Sequence, residues 1–266
     1  MRLGPASLRR LVPPGAAVLS FLVALALPLG RSPLRPAADV VSTARPVNLV
    51  VFGDSVPSGG ACDCVPFGEL YGAMVHSHTG GRVRTTNLAR GGFTSPDVQQ
   101  QIETPSAKAA IRTATTVVVM VGANDMGPAF RKVLAGASAA GTFGPAAQEV
   151  RADVNAAVRR IRYLRHGTVQ VAVLGYWNVF RDGRVGLATY GPAGLEIAVS
   201  ATGFTNRALQ QAAADTGSRY VAVSTAFKGP DGKGDPTPLL APDGDHPNAT
   251  GHRLIARRLY QALPDG

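Results

Sequence analysis

The sequence predicts an α/β fold, a three-layer α/β/α sandwich built on a five-stranded, mostly parallel sheet. Three observations carry that expectation. Short apolar, β-branched runs recur along the chain and stop abruptly at glycine or polar residues. Longer segments with apolar residues at three- and four-residue spacing separate them. The two kinds alternate from residue 47 to the C-terminus, the order that gives a parallel sheet with helices on both faces.

The first run, Val47 to Phe52, is apolar throughout and stops at Gly53, as a strand buried on both faces does. A helix is expected near Pro66 to His78, a strand near Val83 to Leu88, and a short helix opened by Ser95-Pro96, since proline suits a first helical turn. The strand Thr116 to Val121 follows. Val150, Val154, Val158 and Ile161 mark one face of a helix over Ala146 to Leu164, ahead of the strand Val169 to Leu174. A helix over Leu195 to Asp215, a last strand Tyr220 to Val223 and a closing helix Ala249 to Leu263 complete the series. Gly127 to Gly144 and Asn178 to Gly194 fall outside this rhythm and are expected to be loops. Both leave the sheet near strand C-termini, the edge at which open α/β sheets bind ligands, so they are either walls of a cleft or plain surface connections. Trp177, Phe180 and Tyr190 are the aromatics that would line such a cleft or pack in the core.

With 45% hydrophobic and 17% charged residues in 266, the chain has apolar material for one good-sized core over residues 46–266. The formal charge of +10 invites a nucleic-acid reading. About half of that excess, however, comes from Arg2, Arg9, Arg10, Arg31, Arg35 and Arg45 against Asp39. The remaining basic residues are scattered and not interleaved with aromatics, which argues against nucleic-acid binding. Arg9 and Arg10 stand before an uncharged stretch from Leu11 to Gly30, the layout of a secretory signal peptide. Residues 1–45 are therefore expected to be a signal peptide and linker, placing the mature protein outside the cytoplasm, secreted or in the cell envelope, with no stable membrane span after cleavage. A monomer is expected.

Cys62 and Cys64 are the two cysteines, separated by Asp63. They are compatible with a disulfide across a very small ring, with two free thiols or with an intermolecular link. Two cysteines cannot close a zinc site, and His76 and His78 lie across a predicted helix, so no metal is expected.

Four fragments carry chemistry. Gly53-Asp54-Ser55 follows the first strand, where a sharp turn exposes a hydroxyl at the sheet edge. Asn87 to Ser95 contains Gly91-Gly92, and glycine there permits a backbone geometry that aims an N–H into a cleft; Gly92 is the better candidate. Gly122-Ala123-Asn124-Asp125 ends the third strand with a side-chain amide suited to holding an oxyanion. Asp243 precedes His246 by three residues, close enough to bind the imidazole Nδ1–H and leave Nε2 free as a base. Each fragment alone is also a common turn or cap; together, in order and at strand C-termini or in the final loop, they make the parts list of an acyl-transfer site.

This set resembles the SGNH (GDSL-type) hydrolases, serine esterases and lipases in which a Gly-Asp-Ser block, a glycine block, a Gly-x-Asn-Asp block and an Asp-x-x-His block recur in this order. The likeness covers Val47 to about Leu263. It implies Ser55 as nucleophile, His246 and Asp243 as its base pair, and an oxyanion hole of the Ser55 and Gly92 N–H groups with the Asn124 amide. It also implies hydrolysis of a small-molecule, lipid or acylated-sugar ester without a cofactor. Val56 stands where many members have leucine. An acyltransferase on the same triad, or a non-catalytic binding module that keeps the cleft, are the alternatives. A nucleotide-binding reading lacks both a phosphate-binding Gly-Lys-Ser/Thr loop and a Gly-x-Gly-x-x-Gly after the first strand.

Overall fold

The computed structural model describes residues 45–263 and 265. The expected signal peptide and linker therefore lie outside the described residues, apart from Arg45. The chain runs β1 (Val47–Gly53), α1 (Ser55–Ser58), α2 (Phe67–Thr79), β2 (Val83–Asn87), α3 (Ser95–Ile102), α4 (Pro105–Thr113) and β3 (Thr116–Met120). It continues through α5 (Gly127–Leu134), α6 (Ala139–Arg165), β4 (Gln170–Leu174), α7 (Gly183–Asp215), β5 (Arg219–Val221), α8 (Ser224–Lys228) and α9 (Ala249–Ala262).

The five strands pair in the order β2-β1-β3-β4-β5 and every pairing is parallel. The first strand sends the chain outward to β2, and the chain then crosses back to β3 on its other side. The strand order reverses at the C-terminal ends of β1 and β3, the point where a crevice opens in sheets of this kind. Leu49, Val51, Phe52, Val117, Val118, Val119 and Met120 are fully buried, because helices cover both faces. The helices α3 to α7 pack against one another as one layer, and α2, α8 and α9 form the other. No helix among the described residues is long and apolar enough to cross a membrane.

The two segments expected to be loops are helical. α5 occupies Gly127–Leu134, and α6 begins at Ala139, well before the expected start at Ala146. The glycines and alanines of this segment obscured the pattern, yet Ala129, Phe130, Val133, Phe143 and Ala147 bury a helical stripe. Likewise α7 starts at Gly183 rather than Leu195; Gly191 leaves the helical region (φ 67, ψ 176) just before Pro192, so two helices run on across a kink. That Gly-Pro pair reads as a breaker in the sequence and acts only as a bend.

The N-terminus of α7 is held by a buried ion pair. Lys228 Nζ, at the end of α8, lies 2.6 Å from Asp182 Oδ2, with side-chain exposures of 9% and 3%. Asp182 also caps α7, accepting the Gly183 N–H at 2.8 Å. Removing either partner strands a charge in a dry site, so Asp182→Ala and Lys228→Met should each cost about 3–5 kcal/mol in urea unfolding. The double variant should cost clearly less than their sum; strict additivity would show that the pair is not coupled.

Candidate active site

β1 ends at Gly53 and the chain turns at once into α1. Asp54, fully buried, fixes that turn: its Oδ1 accepts the Val56 N–H at 3.0 Å, and the Tyr176 hydroxyl donates to its Oδ2. Tyr176 follows β4, so one carboxylate ties the turn after β1 to the end of a strand two places away in the sheet. Ser55 is thereby presented, half-buried, at the mouth of the sheet.

Burial pushes the Asp54 carboxyl up from 3.8 to about 7, against the lowering effects of the Tyr176 and Val56 hydrogen bonds and the His246 charge. The folded state therefore binds the Asp54 proton more tightly than the unfolded chain does. The stabilisation is fully present below about pH 4 and is lost as pH rises to about 7. Asp54→Asn removes this dependence. Relative to the parent protein, the variant should gain on the order of 4 kcal/mol in stability between pH 4 and pH 7, measured by urea unfolding at each pH. Parallel curves for the two proteins would mean that Asp54 is ionised throughout.

The second fragment closes over Ser55. The Arg90 N–H donates to Gly53 O at 2.9 Å and the Phe93 N–H to Arg90 O at 3.3 Å, which makes Arg90–Phe93 a tight turn. Gly92 holds its third position at φ +82, the positive angle that a type II turn requires and that glycine adopts without strain. A methyl group on the neighbouring Gly91 would lie 3.9 Å from Ser55 Cβ, so the turn sits directly beside the serine. The Ser55 and Gly92 N–H groups have no acceptor among the described residues. Asn124 donates one amide N–H to Phe93 O at 2.8 Å, which leaves its second donor available. Asp125 binds the Ser95 N–H at 3.0 Å and so pins the start of α3 to the same corner.

The last fragment hangs on a loop between β5 and α9. Leu240 and Pro247 form an isolated antiparallel bridge, and Asn248 caps α9 by accepting the Thr250 and Gly251 N–H groups. Inside this loop Asp243 Oδ1 accepts the N–H groups of Asp245 (3.0 Å) and His246 (3.1 Å), while Oδ2 lies 2.6 Å from His246 Nδ1. Partial burial would raise the Asp243 carboxyl, but these three hydrogen bonds outweigh it and hold the group below its usual range. Asp243 therefore stays ionised and fixes the imidazole with Nε2 outward. The loop is anchored from behind by the Asp182 N–H, which donates to Gly244 O at 2.7 Å.

Gly60 joins the two halves. A methyl group there would lie 3.1 Å from Ser55 Cβ and 3.3 Å from His246 Cδ2, so both side chains pack against one glycine. Any larger residue would be driven between them. The structure thus brings Ser55, Gly92, Asn124, Asp243 and His246 to one corner at the crevice of the sheet.

Sequence reasoning missed three contributors. Asp54 and Tyr176 form a buried pair 122 residues apart, and neither looks unusual in its own segment. Gly60 gave no signal beyond being glycine. Trp177, weighed as a cleft residue, is buried and stacks on Phe227 at 4.3 Å between ring centres, so it is a core residue. Phe180 and Tyr190 instead pack around Phe130 of α5, at 4.0 and 5.3 Å. Cys62 and Cys64 are joined as an intramolecular disulfide, which decides among the three states that the sequence left open.

Residues 51–254 match the GDSL-like lipase/acylhydrolase family. A comparison with curated proteins finds no match. Among solved structures, a lipase from a goat-rumen metagenome superposes with a TM-score of 0.68 at 16% identity, covering 82% of this chain and 97% of that one. An extracellular lipase from Streptomyces rimosus gives 0.61 at 23% identity, covering 82% of this chain and all of the other. An acetylxylan esterase from Geobacillus stearothermophilus gives 0.57 at 19% identity, covering 80% and 92%. At these identities the likeness establishes the fold.

Proposed function

Since the chain belongs to the GDSL-like lipase/acylhydrolase family, whose members hydrolyse carboxylic esters, we propose that Ser55 is its nucleophile, acting through an acyl-enzyme. His246 Nε2 takes the Ser55 proton as the hydroxyl attacks the ester carbonyl, and Asp243 steadies the imidazolium that forms. The Ser55 and Gly92 N–H groups and the free Asn124 N–H receive the oxyanion. Collapse of the tetrahedral intermediate expels the alcohol with the proton from His246, and water then releases the acid by the same route in reverse. No cofactor enters these steps.

The observation that carries this reading is the packing of Ser55 and His246 against the same Gly60 while His246 Nδ1 is held 2.6 Å from Asp243. A non-catalytic binding module has no need of an imidazole oriented by a carboxylate beside a serine. The test is stoichiometric labelling by a fluorophosphonate, with hydrolysis of p-nitrophenyl acetate, butyrate and palmitate alongside. A single phosphonyl group on Ser55 is expected; labelling elsewhere, or none in active protein, would refute the assignment. Asn124→Ala removes one oxyanion donor and should lower kcat by about 100- to 1,000-fold with KM little changed. Turnover within a few-fold of the parent would take Asn124 out of the hole.

The proposed substrate is a small-molecule, lipid or acylated-sugar ester, a span supported by the lipases and the acetylxylan esterase among the structural relatives. We also propose that the protein acts outside the cytoplasm, as a monomer. The support for export is the Arg9-Arg10 pair before the uncharged stretch Leu11 to Gly30, together with the disulfide, since disulfides persist in oxidising compartments.

A further inference from the structure

The Cys62–Cys64 bridge lies on the turn that follows α1, and the residue packed beneath it comes from far along the chain. His252, in the first turns of α9, is fully buried, and neither of its ring nitrogens has a hydrogen-bond partner. One ring nitrogen and the two Sγ atoms all lie within 4.8 Å of one another. A buried imidazole with both nitrogens unmatched gives up the hydrogen bonds that water would have made to it. Its nearest aromatic neighbour, Phe67, stacks at 6.3 Å between ring centres and offers no polar atom.

We propose that, once the disulfide is reduced, Cys62, Cys64 and His252 form a three-ligand site for a soft divalent cation of the Zn²⁺ class. Reduction by a thiol or phosphine delivers two electrons and two protons and leaves two thiols. The cation then displaces both thiol protons, giving a complex of two thiolates and one neutral imidazole. Zinc binds sulfur at about 2.3 Å and histidine nitrogen at about 2.0–2.1 Å, so tetrahedral ligands stand less than 4 Å apart, a span this cluster already approaches. The thiolate pair selects soft ions over magnesium or calcium. Burial, with a smaller contribution from the His246 charge, lowers the His252 ring to about 4. The fourth position is open to water or an external ligand. The exposed His76 and His78 take no part, since His76 Nδ1 is engaged with Gly81 O at 2.8 Å and His78 stacks edge-on with Tyr260. The site is independent of the ester-hydrolysis reading, although Gly60 on the same turn touches Ser55 and His246.

The test uses the full chain, reduced with a phosphine, desalted without oxygen and titrated with Co²⁺ and then Zn²⁺. One Co²⁺ per chain is expected, with thiolate-to-metal absorption in the near ultraviolet and tetrahedral visible bands, both bleached by one equivalent of Zn²⁺. The oxidised chain and the Cys62→Ser and Cys64→Ser variants should lose both features. Because His252→Ala could fail to fold, ligation by His252 is read in the unsubstituted chain from ring ¹⁵N shifts of labelled histidine. One imidazole should move on adding Zn²⁺, and should still move in His76→Gln/His78→Gln. Absence of binding to the reduced chain, equal binding to the oxidised one, or loss of the shifting signal with His76 and His78 would each overturn the proposal.

Discussion

Ser55→Ala is expected to lower ester turnover on the order of 10⁶-fold, the scale on which a triad nucleophile matters. The fold should survive. The turn is held by the Asp54 carboxylate and by the Gly60 N–H, which donates to Ser55 O at 2.8 Å, and both contacts outlast loss of the hydroxyl. Circular dichroism and the thermal midpoint should match the parent, so the loss is chemical rather than structural. Turnover within ten-fold of the parent would place the nucleophile elsewhere. Substrate binding should change little, because alanine fills the same half-buried position with one atom fewer.

Asp243→Asn is expected to lower kcat by about 10⁴-fold. The carboxamide keeps an acceptor for the Asp245 and His246 N–H groups, so the loop should stay formed. What changes is the partner of His246 Nδ1: an amide donor there favours the tautomer with the proton on Nε2, which cannot accept from Ser55. Asp245→Asn is the control. Its carboxylate has no hydrogen bond among the described residues, only its N–H does, and activity should stay within a few-fold of the parent. The opposite ranking, assayed on one chromogenic ester, would reassign the orienting carboxylate.

The chemistry was legible in the sequence because it sits at strand ends, where apolar β-branched runs stop and polar blocks begin. Val47 to Gly53 and Thr116 to Met120 announce themselves as doubly covered strands, and their C-terminal neighbours could be collected into one crevice by topology alone. Helix boundaries in Gly- and Ala-rich stretches were not legible, since the stripe of Ala129, Phe130 and Val133 is only one turn long and Gly191-Pro192 mimics a stop. Long-range pairs were invisible for a different reason. Asp54 with Tyr176, Asp182 with Lys228 and the two cysteines with His252 are matches between segments whose local patterns are ordinary. His252 occupies the same buried stripe as Ile255, Ala256 and Leu259, where a histidine reads as one more core residue.

The two halves of the site rest on supports of unequal depth. Ser55 directly follows β1, an interior strand paired on both sides, whose amides should open only when the whole domain does. His246 rides on a loop held mostly by its own short-range hydrogen bonds, the Leu240–Pro247 bridge and the Asn248 cap, with the Asp182 N–H tying it to the start of α7. A segment held in this local way is expected to open before the sheet does on warming, and activity to fade with it.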